Sequence, residues 1–250
     1  MGSFGNVIIL RLPKGESVVR PRSYCYSCKE LIRWYDNIPI LSWFILRGKC
    51  RSCQASYSFR YPLVEFLTAL LFCLVYMRFS EGKIINLRVF EYIFFVWALV
   101  VVSMIDFDHM ILPDVFTLSG IVVGLVFSIF SPDRSFWEAF GGVLFGGGIF
   151  WLISYMYYIW RGEDGIGGGD IKLSAWIGAV LGWKAIPFVV LSSSILGSVV
   201  GLILVFKTKA GWKLKIPYGP YLALGAVLYL FCEEFGMSFL NIFFPSLGPE

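Results

Sequence analysis

The sequence predicts an all-α protein that crosses a membrane several times, and three observations support this fold class. The 250 residues are 58% hydrophobic and 15% charged, whereas soluble domains are about 45–50% apolar and about 25% charged. The apolar residues form long uncharged runs, such as 139–160 and 185–206. At about 1.5 Å per residue in a helix, each run can cross a hydrocarbon core of about 30 Å. Turn-forming and charged residues separate the runs.

The apolar runs predict about eight transmembrane helices. The first is a short stub at 1–10, which is too short to span a membrane alone. Seven segments follow at 61–78, 88–105, 115–132, 137–160, 172–183, 185–206 and 216–232. A last apolar stretch at 235–249 is expected to extend the final helix or to lie along the interface. We therefore divide the chain into an N-terminal part, 1–60, and a transmembrane domain, 61–250.

The basic residues predict the orientation of these helices. Most of the 21 Lys and Arg residues lie in the predicted loops at 11–60, 161–172 and 207–216, which share one side of the membrane with 106–114. The positive-inside rule makes this side cytoplasmic. Since the net charge of +4 comes from loops of a membrane protein, it does not indicate a nucleic-acid partner.

Two Cys-x-x-Cys pairs predict a metal site in the polar insert that follows the first helix. The pairs are Cys25 with Cys28 and Cys50 with Cys53. Four thiolates in this arrangement can close a tetrahedral Zn²⁺ site, and four Cys ligands leave no open position for a substrate. Zinc is therefore expected to be structural. Disulfides or a redox pair are the alternative, which a reducing cytoplasmic location disfavours.

Two acidic loops are candidates for catalysis. The first contains Asp106, Asp108 and Asp114, and the second contains Asp164 and Asp170. Each follows a long helix, precedes another and is predicted on the cytoplasmic side, so the two can converge. Acidic groups at membrane depth are costly and indicate function. Two close carboxylates that share a proton can activate water for peptide hydrolysis, as in aspartyl proteases.

Other residues in these loops suggest supporting roles. Gly167 and Gly169 precede Asp170 and are expected to permit unusual backbone conformations and a close approach of substrate. Lys172 is expected to tune the site, contact substrate or anchor the helix end. The glycine-rich segment 137–160 predicts close helix packing.

Several alternatives compete with a protease. Each acidic loop alone can be an ordinary solvated turn. The single histidine, His109, excludes a HExxH metalloprotease, which needs two histidines. A transporter with a proton relay through Asp106 and Asp170 is possible in principle, but no internal repeat is visible. A non-enzymatic assembly factor would need the CxxC pairs and neither aspartate.

The residues closely resemble one family, the bacterial type IV prepilin peptidases, which are GxGD aspartyl proteases. The shared motifs, in chain order, are GSFGNV at 2–7, RLP at 11–13, PRSxCxxC at 21–28, WYDNIP at 34–39, LSW at 41–43, LRGxCxxC at 46–53, RYPLVE at 60–65, Asp106 with LPD at 112–114, GxGDxK at 167–172 and IPYGPY at 216–221. The resemblance covers nearly the whole chain. Several motifs in the same order make it specific.

The resemblance implies an activity and a set of roles. Family members cut the basic leader of type IV prepilins or type II secretion pseudopilins, and most then methylate the new N-terminus with S-adenosylmethionine. By motif position the catalytic pair is Asp106 and Asp170, with Asp108, Asp114 and Asp164 as second choices. The cysteine insert matches a cytoplasmic domain associated with methylation. The resemblance also implies the bacterial inner membrane as location. An enzyme that cleaves without methylating is the alternative, and the oligomeric state is not predicted.

Overall fold

The computed structural model describes residues 1–80, 87–131, 134–163, 165–208 and 216–232. Within these ranges the regular structure is helical, apart from two isolated β-bridges at Tyr24–Leu31 and Lys49–Ser56. The α-helices are α1 (Gly2–Arg11), α2 (Leu41–Ile45), α3 (Arg60–Phe79), α4 (Leu87–His109), α5 (Asp114–Phe130), α6 (Phe136–Arg161), α7 (Gly168–Leu181), α8 (Ala185–Thr208) and α9 (Gly219–Phe231). The all-α prediction is confirmed.

Helices occupy all seven apolar segments predicted after the insert. Four of them, α3, α4, α6 and α8, are long and apolar enough to cross a membrane, and α5 and α9 are shorter apolar helices. Only 11% of the most apolar window of α8 is buried inside the protein, as expected for a helix that faces lipid. The structure therefore supports a polytopic membrane protein, and the number of eight spans stays a prediction.

The chain folds into two compact units, Met1–Ile105 and Asp106–Glu250. In the first unit α1 packs against α3 and α4. The Trp97 indole N–H donates to the carbonyl of Met1 at 3.2 Å, and Phe4 stacks on Trp97 with ring centroids 6.3 Å apart. The Arg60 guanidinium donates to the Met104 carbonyl at 2.8 Å, which joins the start of α3 to α4. The division between residues 60 and 61 stays a prediction.

In the second unit α7 lies at the centre, in contact with α5, α6, α8 and α9. Its residues 173–180 are all buried. Gly142 of α6 and Gly178 of α7 face each other so closely that a Cβ on either would overlap the backbone of the other. The predicted close packing of the glycine-rich segment is confirmed, because only small residues allow two helices to approach this far. This packing fixes α7, whose first turn carries Asp170.

Two sequence expectations fall outside the described residues. These are the role of Asp164 and the apolar stretch at 235–249.

Candidate active site and candidate metal centre

Asp106 is a buried carboxylate held by a distant part of the chain. It lies in the last turn of α4, and its residue is 5% exposed. The backbone N–H of Gly219, which begins α9, donates to Asp106 Oδ2 at 2.9 Å. The first N–H groups of a helix have no partner within that helix, so the start of α9 supplies a donor that orients this carboxyl group.

Asp170 lies in the first turn of α7, and its carboxyl group interacts electrostatically with that of Asp106. The structure thus brings together the two aspartates predicted as a pair. The start of a helix also favours a negative charge. The start of α7 therefore offsets part of the cost of an ionised Asp170 that is buried next to Asp106.

Leu112 connects the two acidic loops. A Cβ added to Gly169 would lie 2.9 Å from Leu112 Cβ, and one added to Gly219 would lie 3.1 Å from Leu112 Cδ2. The Leu112 side chain therefore packs against the residue before Asp170 and against the residue that donates to Asp106. A side chain at Gly169 would press on Leu112, and a side chain at Gly219 would press on both Leu112 and the Asp106 carboxyl group.

The structural reason for the glycines differs from the sequence-based expectation. Gly167 has φ −63° and ψ 135°, which residues of any type adopt, and Gly168 and Gly169 are the first helical residues of α7. The expected unusual backbone conformation at Gly167 is therefore wrong. Gly169 is required for a different reason, which is the lack of space next to Leu112.

Three other predicted residues, Lys172, Asp114 and Asp108, are among those that the structure describes. Lys172 Nζ and Asp114 Oδ1 form an exposed ion pair at 2.6 Å, which ties the first turn of α7 to the first residue of α5. Asp108 is exposed near the end of α4.

Tyr218 was not singled out as a site residue from the sequence, although it lies within the shared motif at 216–221. Its hydroxyl group is 2.8 Å from Ser193 Oγ and 3.1 Å from Ser194 Oγ, both in α8. Tyr218 immediately precedes Gly219 and forms the N-cap of α9. The two serines thereby fix the backbone that donates to Asp106.

The four predicted cysteines form a second cluster, in the N-terminal unit. Their Sγ atoms all lie within 4.8 Å of one another, with Cys25 and Cys53 3.8 Å apart and Cys28 and Cys50 4.0 Å apart. A tetrahedral site with metal–sulfur bonds of about 2.3 Å requires sulfur–sulfur distances of about 3.8 Å. The cluster can therefore hold one metal ion.

The two cysteine pairs have the same backbone geometry. The N–H of Lys29 donates to the carbonyl of Cys25 at 2.8 Å, and the N–H of Gln54 donates to that of Cys50 at 3.1 Å. Lys29 and Gln54 also share a left-handed conformation, with φ 60° and 59°. This repeated turn aims both cysteines of each pair at one point.

Tyr57 is a second residue that the sequence-based prediction missed. Its hydroxyl group hydrogen-bonds to the Cys25 sulfur and lowers the pKa of Cys25 to about 6. Hydrogen bonds of this kind stabilise thiolates, the form that binds metal.

Paired carboxylates at helix ends, within a chain of apolar helices, are features of a helical membrane peptidase. Comparison of the sequence with protein families identifies the family of peptidase. Residues 1–79 match the Bacterial Peptidase A24 N-terminal domain, and residues 93–202 match the Type IV leader peptidase family.

Full-length similarity supports the same assignment. The chain is 37% identical to a prepilin leader peptidase/N-methyltransferase of Aeromonas hydrophila, over 92% of this chain and 86% of that protein. It is 36% and 34% identical to proteins of the same name from Stutzerimonas stutzeri and Pseudomonas aeruginosa, each over 96% of this chain and 90% of the relative. No solved structure matches the chain. The chain belongs to the type IV leader peptidase family.

Proposed function

We propose that this protein cuts the leader peptide from type IV prepilins or type II secretion pseudopilins and methylates the new N-terminal residue. The observation that carries the cleavage activity is the pairing of Asp106 with Asp170, in a chain that is 37% identical to a prepilin leader peptidase/N-methyltransferase.

The chemistry follows from two carboxyl groups that share one proton. The ionised aspartate removes a proton from water as the water attacks the scissile carbonyl, and the protonated aspartate donates a hydrogen bond to the developing oxyanion. The Gly219 N–H holds Asp106 Oδ2 in place during this exchange. A fixed donor of this kind costs little reorganisation when the reaction occurs.

The substrate's basic leader is attracted by the acidic residues around this pair. Asp108 and Glu163 are exposed, and their negative charges attract Lys and Arg side chains at close range. Asp114 contributes less, because Lys172 already neutralises part of its charge. Leaders with more basic residues are therefore bound more tightly.

Methyl transfer requires S-adenosylmethionine as the donor, which supplies a methyl group made electrophilic by the positively charged sulfur. We assign Zn²⁺ to Cys25, Cys28, Cys50 and Cys53, where it stabilises the fold of the insert and takes no part in proteolysis. The sulfur–sulfur distances of 3.8 and 4.0 Å support this assignment.

The protein resides in the bacterial inner membrane, with the aspartates and the cysteine insert at the cytoplasmic side. The four apolar helices and the family support a membrane location. The basic composition of the loop at 11–60 supports the orientation.

Cleavage of a co-expressed prepilin, measured as a shift on a gel, tests the catalytic pair. Asp106→Asn and Asp170→Asn are each expected to abolish cleavage while the protein still inserts into the membrane. Glu16→Gln is the control, because it removes an exposed carboxylate outside both acidic loops, and it is expected to retain activity. Normal cleavage by either of the first two variants would refute the pair.

A labelled-methyl assay separates methylation from cleavage. Incubating the cleaved pilin with methyl-labelled S-adenosylmethionine and the wild-type protein is expected to label its N-terminal residue. Cleavage without label would show that the protein is an endopeptidase that does not methylate its product.

A further inference from the structure

The N-terminal unit contains a cavity whose lining includes none of the four cysteines. The cavity has a volume of about 890 Å³, including the open space at its mouth, and all of its lining residues fall between Ser3 and Glu65. One side of α1, along its whole length, and the first turns of α3 form one wall, and the segment from Asp36 to Lys49 forms another. Neither cleavage of the leader peptide nor metal binding explains the presence of this cavity.

Aromatic rings held in fixed positions form much of its lining. Trp43, Tyr57 and Tyr61 all border the cavity. The Trp43 indole N–H donates to the Tyr57 carbonyl at 3.3 Å, and the ring lies so close to Gly48 that a Cβ there would be 2.9 Å from it. Rigid aromatic faces stack on planar bases and attract positively charged groups. The lining therefore suits a ligand that carries both a planar base and a positive charge.

Polar groups complete the lining. Glu65 is half-buried, and its Oε2 accepts the N–H of Ile40 at 2.8 Å. Gly2 packs against the Glu65 backbone, since a Cβ on it would lie 2.8 Å from Glu65 Cα. Asn6 is buried beside it and donates to the Tyr61 carbonyl at 3.1 Å. The carboxylate is therefore held at a defined position in the wall.

The second acid in the lining is already engaged. Both carboxylate oxygens of Asp36 accept hydrogen bonds from the Arg51 guanidinium, at 2.6 and 2.8 Å. These bonds lower the pKa of Asp36 and counter its negative charge. Glu65 is thus the acid of the lining whose charge acts on a ligand in the cavity.

We propose that this cavity binds S-adenosylmethionine, with Glu65 as the anchoring carboxylate. The ligand combines a planar adenine, a positively charged sulfur, an amino group and ribose hydroxyls. Aromatic faces can stack on the adenine and attract the positively charged sulfur. A carboxylate can bind the amino group and the ribose hydroxyls. Exposed Lys49, at the cavity lining, is a partner for the ligand's own carboxylate. This inference rests on the methyl-transfer half of the proposed function.

Direct binding is the first test. The full chain, purified in detergent, is titrated with radiolabelled S-adenosylmethionine by equilibrium dialysis. Glu65→Gln keeps an oxygen that can accept the Ile40 N–H but removes the charge. Because a hydrogen bond to a charged group contributes about 1.5–3 kcal/mol, the variant is expected to raise Kd at least about tenfold. Glu16→Gln, an exposed acid of the same unit outside the cavity, is expected to leave Kd unchanged.

Photolabelling is a second test that needs no variant. Ultraviolet irradiation of the wild-type protein with the labelled compound is expected to attach label to peptides within 24–65, which carry the aromatic residues of the cavity. Excess S-adenosylhomocysteine is expected to prevent the labelling. Label confined to peptides beyond residue 105 would overturn the proposal.

The outcomes separate this proposal from the function on which it rests. Unchanged S-adenosylmethionine binding by Glu65→Gln would refute the cavity as the site and leave methylation intact. Impaired leader cleavage with normal binding would instead assign the cavity to the leader peptide. Wild-type protein that neither binds the compound nor methylates pilin would refute methyl transfer itself, and with it this site, while leaving cleavage untouched.

Discussion

The backbone N–H of Gly219 donates a hydrogen bond of 2.9 Å to Oδ2 of Asp106, across 113 positions of sequence. The same glycine has no room for a side chain, because a Cβ would lie 2.7 Å from that oxygen. The two residues therefore form one unit, in which the start of α9 orients a buried carboxylate at the end of α4. The IPYGPY motif thus acts on the acidic loop directly.

Gly219→Ala is expected to lower the rate of prepilin cleavage by roughly a hundredfold, because a displacement of about 1 Å at a reacting group can cost this much. The rate is measured with purified enzyme and prepilin under single-turnover conditions. Gly148→Ala is the control, since a Cβ at Gly148 in α6 meets no other atom within 4 Å. Equal rates for the two variants would show that the contact with Asp106 is unimportant.

Gly168 and Gly169 provide a matched pair of neighbouring substitutions. Gly169→Ala places a Cβ 2.9 Å from Leu112 Cβ, whereas Gly168→Ala places one in open space. Gly169→Ala is expected to lower cleavage by roughly tenfold to a hundredfold through displacement of Asp170. Gly168→Ala is expected to keep activity and to raise thermal stability slightly, since Ala favours helix over Gly by about 1 kcal/mol. Similar loss in both would favour backbone flexibility as the role of these glycines.

The helices and both polar clusters could be predicted from sequence because their signals are local. Long apolar runs predict helices, and the spacing of Cys25, Cys28, Cys50 and Cys53 predicts a metal cluster without knowledge of the fold. Charged residues mark the predicted boundaries, but α4 continues four residues past its predicted end and α7 begins four residues before its predicted start. Asp106 and Asp170 therefore lie in helices rather than in the predicted loops. The pairing of Asp106 with Asp170 was an expectation from topology and resemblance.

The contacts made by Gly219, Tyr218 and Tyr57 could not be predicted because they depend on packing between distant segments. Gly219 and Asp106 are brought together by the assembly of α4 and α9, which no local pattern encodes. Gly169 is a second case in which a contact between distant segments could not be predicted from sequence. Its importance was expected, but the reason is the Leu112 side chain rather than its own backbone conformation.

Tyr218→Phe tests whether the α8 serines position the catalytic unit. The variant removes the hydroxyl group that contacts Ser193 and Ser194 at 2.8 and 3.1 Å. A lost hydrogen bond of about 0.5–1.5 kcal/mol predicts a decrease in kcat of roughly threefold to tenfold, with KM nearly unchanged. Tyr221→Phe, in the same motif, is the control. A change in KM alone would indicate that Tyr218 contacts substrate instead.

The ion pair of Lys172 and Asp114 is expected to have a small effect on stability. Both side chains are exposed, and such pairs contribute roughly 0.2–1 kcal/mol. A double-mutant cycle of Lys172→Met and Asp114→Asn, measured by thermal unfolding, should give a coupling energy in this range that falls as salt is added. Loss of cleavage in Lys172→Met, with Asp114→Asn fully active, would instead place Lys172 in the chemistry.

Metal binding provides a prediction for Tyr57. Tyr57→Phe removes the hydroxyl group that hydrogen-bonds to Cys25, and loss of such a partner weakens metal affinity by about tenfold to a hundredfold. Affinity is measured by competition with a coloured chelator. Tyr35→Phe is the control, because the Tyr35 hydroxyl group contacts Arg33 in the same insert. Equal affinity in both variants would contradict a role for Tyr57.

Removing the metal is expected to unfold the cysteine insert and spare the aspartate pair. The binding energy of a structural metal is also folding energy, because the unfolded chain has no preformed site. A membrane-permeable zinc chelator should therefore make residues 20–58 sensitive to limited proteolysis and abolish methyl transfer, since the proposed cavity is built partly from this segment. Leader cleavage is expected to continue, because Asp106 and Asp170 belong to the other compact unit. Cleavage that stopped on chelation and returned with Zn²⁺ would mean that the insert is also needed for proteolysis.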